Sequence, residues 1–523
     1  MRRGGASEPV VLAVDHGTSG IKAALITLGG EVRDFAFAAT PIHFLPKGGA
    51  EQDPDDWWNA LVAASRELTG RHPGAEVRAV AVSSTWSSTV AVDRDGQALM
   101  NALTWMDSRG APYVRKVMRG TVNVAGYGVG NLLRWVPRTA GGPTLSGKDD
   151  VAHALLIKHE FPEIYARTAH LLSSKDYLNL RLCGEVAGSP DSMMLFWVTD
   201  IRDLSNVRYD DGLIKRVGLD RGKLPPLRPS ASVLGTLVPA VARELGLAPQ
   251  TKVIVGSPDH QSALVGSGAV RDGQGHLYVG TSSWVQCPVE FKKTDVLHSI
   301  ASLPSAMPGR YQAVNEQDVA GGALAALAEL APPLAGLDAP VEDRYGVLDR
   351  LAADSEPGSG GLIATPWLNG ERTPVDDPHL RGALVGLSTT TTAGDVARAV
   401  MEGVACNTRW ALGHVETFAG TRFDPLRFVG GGARSDVWCQ IFADLLDRPI
   451  HRVADPMQAN ARGAALIAAV ALGELTFADI PDRVPVERRF SPDPAQRARH
   501  DDVYGAFIDL HKATKGWFRK RFS

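Results

Sequence analysis

Cysteine is scarce. The 523 residues hold four, Cys183, Cys287, Cys406 and Cys439, widely spaced, with no C-x-x-C pair and no histidine cluster beside them. Such spacing argues against a disulfide framework or a structural zinc site and fits a reducing compartment. Charge imbalance is nearly absent too. Lys and Arg number 55 against 58 Asp and Glu, leaving −3, which gives no global reason to expect nucleic acid or an anionic membrane as partner. Long apolar runs are missing. "VVLAV" is too short for a signal core even behind Arg2 and Arg3, and "ANARGAALIAAVALGEL" contains Arg462 and reads as a buried helix. Low-complexity tracts and coiled-coil heptads are lacking. These absences together predict a cytoplasmic protein.

What is present is ordinary globular composition, 44% hydrophobic and 22% charged, in a chain too long for one hydrophobic core. The opening "VVLAVDHGTSGIKAALI" predicts a strand over Val10–Val14, a turn at His16–Gly20 and a second strand from Ile21. A third strand follows in "EVRDFAFAATPIHF". "DPDDWWNALVAASRELTG" then has helix punctuation, with Asp53 as N-cap, Pro54 at the first position and Gly70 just past the end. "EVRAVAVSSTWSSTVAVDRDG" gives two more strands. The mixed order implies an α/β sheet that is not strictly alternating. The middle is more helical, in "KDDVAHALLIKHEFPEIYART" and "SKDYLNLRLCGEV". A new unit starts near "KVIVGSPDHQSALVGSGAV", followed by "HLYVGTSSWVQCPVEF", which repeats the opening order of apolar strand, Gly-Thr-Ser and apolar strand. Residues 354–361, "DSEPGSGG", read as a surface loop.

Four turns could carry chemistry: Asp15-His16-Gly17-Thr18-Ser19 with Lys22; "GSPDHQSA" with Asp259; Gly280-Thr281-Ser282; and Gly430-Gly431-Gly432 in "FVGGGARSDVWCQIFADLLDRPI". Each has a plain structural reading as well. Asp15 is a common turn residue, Asp259 suits a helix N-cap, and three glycines suit a tight strand-to-helix turn. The glycines match neither G-x-G-x-x-G nor the P-loop pattern, which disfavours a dinucleotide site and excludes a P-loop. Taken jointly, the turns fit phosphoryl transfer from ATP. Two Thr-Ser turns hold the β- and γ-phosphates, Lys22 neutralises charge, Asp15 holds a hydrated Mg²⁺, and Asp259 accepts a proton from an attacking hydroxyl.

The series "VDHGTSGIK", "WMDSR", "GSPDHQSA", "GTSSW", "PWLNGERTP" and "GGGARSDVWCQIFADLLDRPI" resembles the FGGY family of carbohydrate kinases, and within it the xylulose kinase branch. The likeness runs from about Val10 to about Leu475 and is most specific in "GALVGLSTTTTAGDVARAVME", Gly382 to Glu402. The more N-terminal signature survives only loosely around "GKDDVAHALLIKHEFPEIY". The resemblance implies a two-lobed actin-like, ribonuclease H-like fold with a central cleft. Its lobes would span 9–256 and 257–485, with a C-terminal helical extension over 486–523. It implies Asp259 as catalytic base and a metal position beside Asp15 and Asp259. Gly17, Thr18, Ser19 and Lys22 would form the first phosphate loop, and Gly280, Thr281 and Ser282 the second. Gly321, Gly431, Gly432 and Ala433 would line the adenosine end.

The chain departs from xylulose kinases in having Thr85-Trp86-Ser87 where they carry Gln-Met-His, so the sugar pocket is altered. Ser283-Trp284 stands where a glycine commonly follows the second loop. Thr85, Trp86, Ser87, Asp107, Asp259 and His260 are the candidate sugar-pocket residues. Asp107 and Arg109 could instead simply pair at a surface, and Trp86 could be a core aromatic. The expected ligands are ATP, Mg²⁺ and a sugar or polyol; a homodimer is compatible, and neither nucleic acid nor membrane is an expected partner. Two other readings remain: an actin-like ATPase that clamps a partner, and a family member that has lost catalysis and works as a sensor.

Overall fold

The computed structural model describes residues 8–330 and 341–522. Two large sheets organise it. The first has six strands in the spatial order Val233–Thr236, Lys252–Pro258, Val77–Ser84, Val10–Gly17, Gly20–Thr27 and Val32–Ala39. The second has eight: Thr294–Asp295, Ile300–Pro304, Tyr311–Val314, Ser283–Val289, Gly275–Val279, Leu426–Val429, Ile450–Val453 and Val486–Phe490. At the centre of each lie parallel strands next to an antiparallel hairpin whose tip reads Thr-Ser. The two copies are Val10–Thr27 and Gly275–Val289.

Alternation along Val10–Gly17 explains how this strand is covered on both faces. Leu12 and Val14 pack with Trp57, Leu61 and Leu68 of the helix Pro54–Arg71. Val11 and Ala13 turn the other way, onto Leu264, Val265 and the alanines of the helix Ala459–Ala471. That second face is rich in alanine, which lets helices approach closely. The helices Asp259–Ser267 and Ala459–Ala471 pack so tightly that a Cβ on Gly266 would lie 1.8 Å from the Ala459 carbonyl oxygen. One on Gly463 would lie 1.8 Å from that of Ser262. This paired-helix seam joins the strand sets, since the first sheet's last strand ends at Pro258 and the second sheet begins at Gly275.

Several local expectations need correction. The N-cap of the first helix is Asp53, whose carboxylate accepts from Asp55 N–H at 2.9 Å. The helix runs on through Gly70 to Arg71, and His72 is the closing residue. The segment 354–361 is not a plain surface loop. Ser359 is fully buried and its hydroxyl donates to Glu402 Oε2 at 2.8 Å, while Gly358 N–H donates to Glu402 Oε1 at 3.0 Å. The C-terminal extension is helical only from Arg497 to Phe522; Val486–Phe490 is the edge strand of the second sheet, paired with Ile450–Val453.

Candidate active site

The functional residues gather where the hairpins and the paired helices meet. Antiparallel register sets Asp15 directly opposite Lys22. Lys22 Nζ lies 3.7 Å from Asp15 Oδ2 and donates to the Met457 carbonyl at 3.1 Å. Asn460, on the helix Ala459–Ala471, donates to Asp15 Oδ1 at 3.3 Å. Asp15 is therefore buried, with a cation and an amide at its oxygens.

Asp259 stands one residue past the strand Lys252–Pro258, as the first residue of its helix. Pro258 occupies the N-cap position, so the N-cap reading of Asp259 does not hold. Its Oδ1 accepts from the His260 N–H at 2.8 Å. Burial, then the charges of Asp15 and Glu316, push its carboxyl well above the ordinary carboxylate value. Two acidic side chains, one on Val10–Gly17 and one just past a strand two positions away in the same sheet, thus share one electrostatic environment.

The first Thr-Ser turn is braced by side chains. Gln52 Nε2 donates to Thr18 O at 2.9 Å, and Trp105 Nε1 donates to the Thr18 hydroxyl at 2.9 Å. The second is braced by main chain. Gly321 N–H donates to Gly280 O at 2.9 Å, and Ala320 and Gly322 N–H both donate to Thr281 O, at 2.8 and 3.1 Å. A Cβ on Gly321 would lie 2.4 Å from Gly280 O, so this position demands glycine. Gly430 has φ +92° and backs onto the Val279 carbonyl, where a Cβ would lie at 2.5 Å. Gly431 by contrast is exposed, with open space where a Cβ would be. Ala433 is fully buried beneath that turn and offers no surface to a ligand.

The sugar-pocket candidates divide. Thr85 and Trp86 are half-buried. Trp86 Nε1 donates to the Asp191 carbonyl at 3.0 Å, and its ring tilts over His260 at a centroid separation of 5.4 Å. Ser87 is buried at φ +60°, and its hydroxyl is spent on the Lys148 carbonyl at 2.8 Å. Asp107 is fully buried. It accepts from Ala50 N–H at 3.0 Å and from Arg109 Nε at 2.9 Å, while Arg109 also reaches Glu51 at 2.6 Å. Asp107 therefore fastens a loop and does not line a pocket. His260 is sandwiched: Trp284 stacks on it at 4.0 Å, Gln286 Nε2 meets its Nδ1 at 2.7 Å, and burial holds its pKa down to about 3. Tyr278 stacks on the far face of Trp284 at 4.0 Å. Trp284 thus builds an aromatic column against the helix Asp259–Ser267.

Gln52, Trp105, Asn460, Glu316 and Arg372 adjoin the candidate residues or act on them electrostatically, and sequence reasoning did not single them out. Arg372, in "NGERTP", is paired with Glu316 and, at 3.1 Å, with Asp318. Beside it Glu371 is buried and pushed up to about 8 by burial and by Asp318. The quoted motifs "WMDSR" and "NGERTP" contained two of these residues, and Gln52 sits just before the Asp53 cap; Asn460 carried no local signal.

Comparison with known proteins gives the class. The family model for the FGGY family of carbohydrate kinases, N-terminal domain, matches residues 10–266, and that for the C-terminal domain matches 276–472. A xylulose kinase of Staphylococcus epidermidis is 27% identical over 523 residues, covering 97% of each chain. The crystal structure of a xylulose kinase from Rhodospirillum rubrum superposes with TM-score 0.82 at 27% identity, over 98% of this chain and 100% of that one. A gluconate kinase from Lactobacillus acidophilus does so with TM-score 0.83 at 22% identity, over 98% and 99%. The fold is the two-domain actin-like ATPase fold of these kinases. These matches place the chain among carbohydrate kinases and not among partner-clamping ATPases. No helix among the described residues is long and apolar enough to cross a membrane. The chain belongs to the FGGY family of carbohydrate kinases, and it is an ATP-using sugar phosphotransferase.

Proposed function

We propose that this chain transfers the γ-phosphoryl group of ATP to a hydroxyl of a ketose such as D-xylulose, or of a related sugar, polyol or sugar acid. The proposed lobes are 9–256 and 257–485, followed by residues 486–523. The observation that carries the reading is Asp259: a carboxylate at a strand end, beside Asp15, with a raised proton affinity and partial access to the cleft. A base whose pKa moves toward neutrality is better matched to deprotonating an alcohol as its oxygen attacks.

In this scheme the sugar hydroxyl loses its proton to Asp259. Its oxygen bonds to the γ-phosphorus, and the bond to the β-phosphate oxygen breaks to release ADP. Thr18 and Ser19 on one side and Thr281 and Ser282 on the other direct N–H and O–H groups at the phosphates. Lys22 supplies a positive charge near the first turn, and the N-terminus of the helix Gly321–Leu330 backs the second. Gly431 leaves space an adenosine could use, while the bare Cα of Gly432 lets that turn pack on Val279. Thr85 and Trp86 wall the sugar side.

The donor set fits Mg²⁺, which is commonly held by one or two carboxylates together with substrate phosphates and waters. Asp15 is the residue that would hold it, with Asp259 close by. When bound, the ion neutralises charge on the phosphate oxygens. The cytoplasm is the proposed compartment.

ADP release with Mg-ATP across ketoses, polyols and sugar acids, with Asp259→Asn as control, tests the reading. Turnover on one compound that vanishes in the variant supports it. Substrate-independent ATP hydrolysis alone, silent on every acceptor, overturns it.

A further inference from the structure

Away from the cleft, the helices Ala111–Met118, Val129–Thr139, Asp150–Glu160 and Asp211–Val217 border an open hollow of about 820 Å³. None of its lining residues belongs to the site described above. Its walls gather Lys116, Arg119, Arg134, Arg138, Lys215 and Arg216 against a single lining carboxylate, Asp210. On a chain whose total charge is only −3, this is a strong local excess.

Three of these cations are held in place. Arg138 Nε pairs with Asp210 at 2.9 Å, Arg216 Nε donates to Asn131 Oδ1 at 2.8 Å, and Arg134 Nη1 donates to Gly130 O at 3.0 Å. Each keeps further N–H groups for another acceptor. Lys116, Arg119 and Lys215 make no ion pair among the described residues. Tyr113 and His159 stack in the same wall, 4.7 Å apart and 13° from parallel. Burial, and then the charges of Lys158 and Lys116, hold His159 below its ordinary value, so the positive field is felt locally. Glu160 beside them is occupied by the Tyr113 hydroxyl.

Gathering six like charges against one carboxylate costs energy that an anion relieves, and guanidinium forks match phosphate geometry. The volume lies in the range of small-ligand pockets. The cations converge on a hollow from several helices and do not run as a stripe, which favours a compact ligand over a polymer. We propose that this hollow is a second ligand site, which takes a small phosphorylated metabolite carrying two or more phosphate charges.

Inorganic pyrophosphate is the probe, titrated calorimetrically into the full chain in EDTA, with hydrogen exchange followed in parallel. Saturable binding is expected, with exchange slowed over 111–119, 129–139 and 211–217. The double variant Arg134→Glu with Lys215→Glu should bind about tenfold more weakly or worse. Its sugar phosphorylation at saturating substrates should be unchanged. The milder Arg134→Gln with Lys215→Gln pair should fall between, which separates charge loss from misfolding. Protection confined to residues 15–22 and 280–282, or equal affinity in all three proteins, would overturn the proposal. So would equal competition by chloride at matched ionic strength, or tighter variant-sensitive binding of a duplex oligonucleotide.

Discussion

The two hairpins are close copies in topology and differ in how their tips are held. The turn after Val10–Gly17 is fixed chiefly by side chains from elsewhere, Gln52 and Trp105, with one main-chain bond from Thr40 N–H to Ser19 O at 3.1 Å. The turn after Gly275–Val279 is fixed by main-chain bonds to the start of the helix Gly321–Leu330. The first carries its own charges, Asp15 and Lys22 in register; the second relies on a helix N-terminus. One geometry is thus preorganised by two means. Both tips exclude a Cβ at one glycine, since one on Gly20 would lie 2.4 Å from the Ala38 carbonyl oxygen, but the first turn depends on particular side chains as well. The second tolerates side-chain change but depends on the absence of a Cβ at Gly321.

The largest break in that comparison comes from Gly321→Val. Its Cβ would meet Gly280 O, so the second turn must shift, and displacement by about an ångström costs on the order of 10²-fold in turnover. Steady-state kcat checks this, and near-normal turnover would mean that the helix contact is incidental. Next is Trp86→Ala, which asks whether the first half alone holds the sugar. Sugar KM should rise about tenfold, the worth of one well-packed contact, while ATP KM stays nearly fixed. The reverse pattern would return Trp86 to the core. Trp105→Phe removes a single hydrogen bond from the first turn, worth ~0.5–1.5 kcal/mol. ATP kcat/KM should drop only a few-fold, and a loss as large as that of Gly321→Val would erase the contrast between the turns.

The smallest effect concerns pH. Asp259 must be ionised to accept a proton, and its pKa is raised by burial, Asp15 and Glu316. The acid limb of kcat/KM should therefore fall above the ordinary carboxylate range, with activity lost as pH drops through it. Glu316→Gln should move that limb modestly downward; an upward move would contradict the assignment of the charges.

Much of this was legible in the sequence because it is local. An apolar strand that runs into Asp15 before Gly-Thr-Ser, or into Asp259 before a small-residue helix, announces strand, turn and a carboxylate at the strand end within a dozen residues. What was not legible depends on elements brought together from afar. Asp107 looked like a pocket residue because "WMDSR" does not reveal that Glu51 and Ala50 close over it through Arg109. Ser87 turned away because its positive φ aims it at Lys148. His260 follows Asp259, the proposed base, but Trp284 and Gln286, supplied by the second hairpin, cap its ring. Gln52 braces a turn 34 residues earlier, and Asn460 reaches Asp15 across 445 positions, separations that no spacing rule reads.

The central claim is that Asp259 takes the proton at the meeting point of the two turns. The direct test measures ATP binding by calorimetry and phosphoryl transfer to the preferred sugar in Asp259→Asn, side by side with the parent chain. The account predicts intact folding and ATP affinity with transfer reduced on the order of 10²–10⁴-fold, the usual share of a positioned general base. Unchanged transfer, or a loss traceable to ATP binding alone, would contradict it.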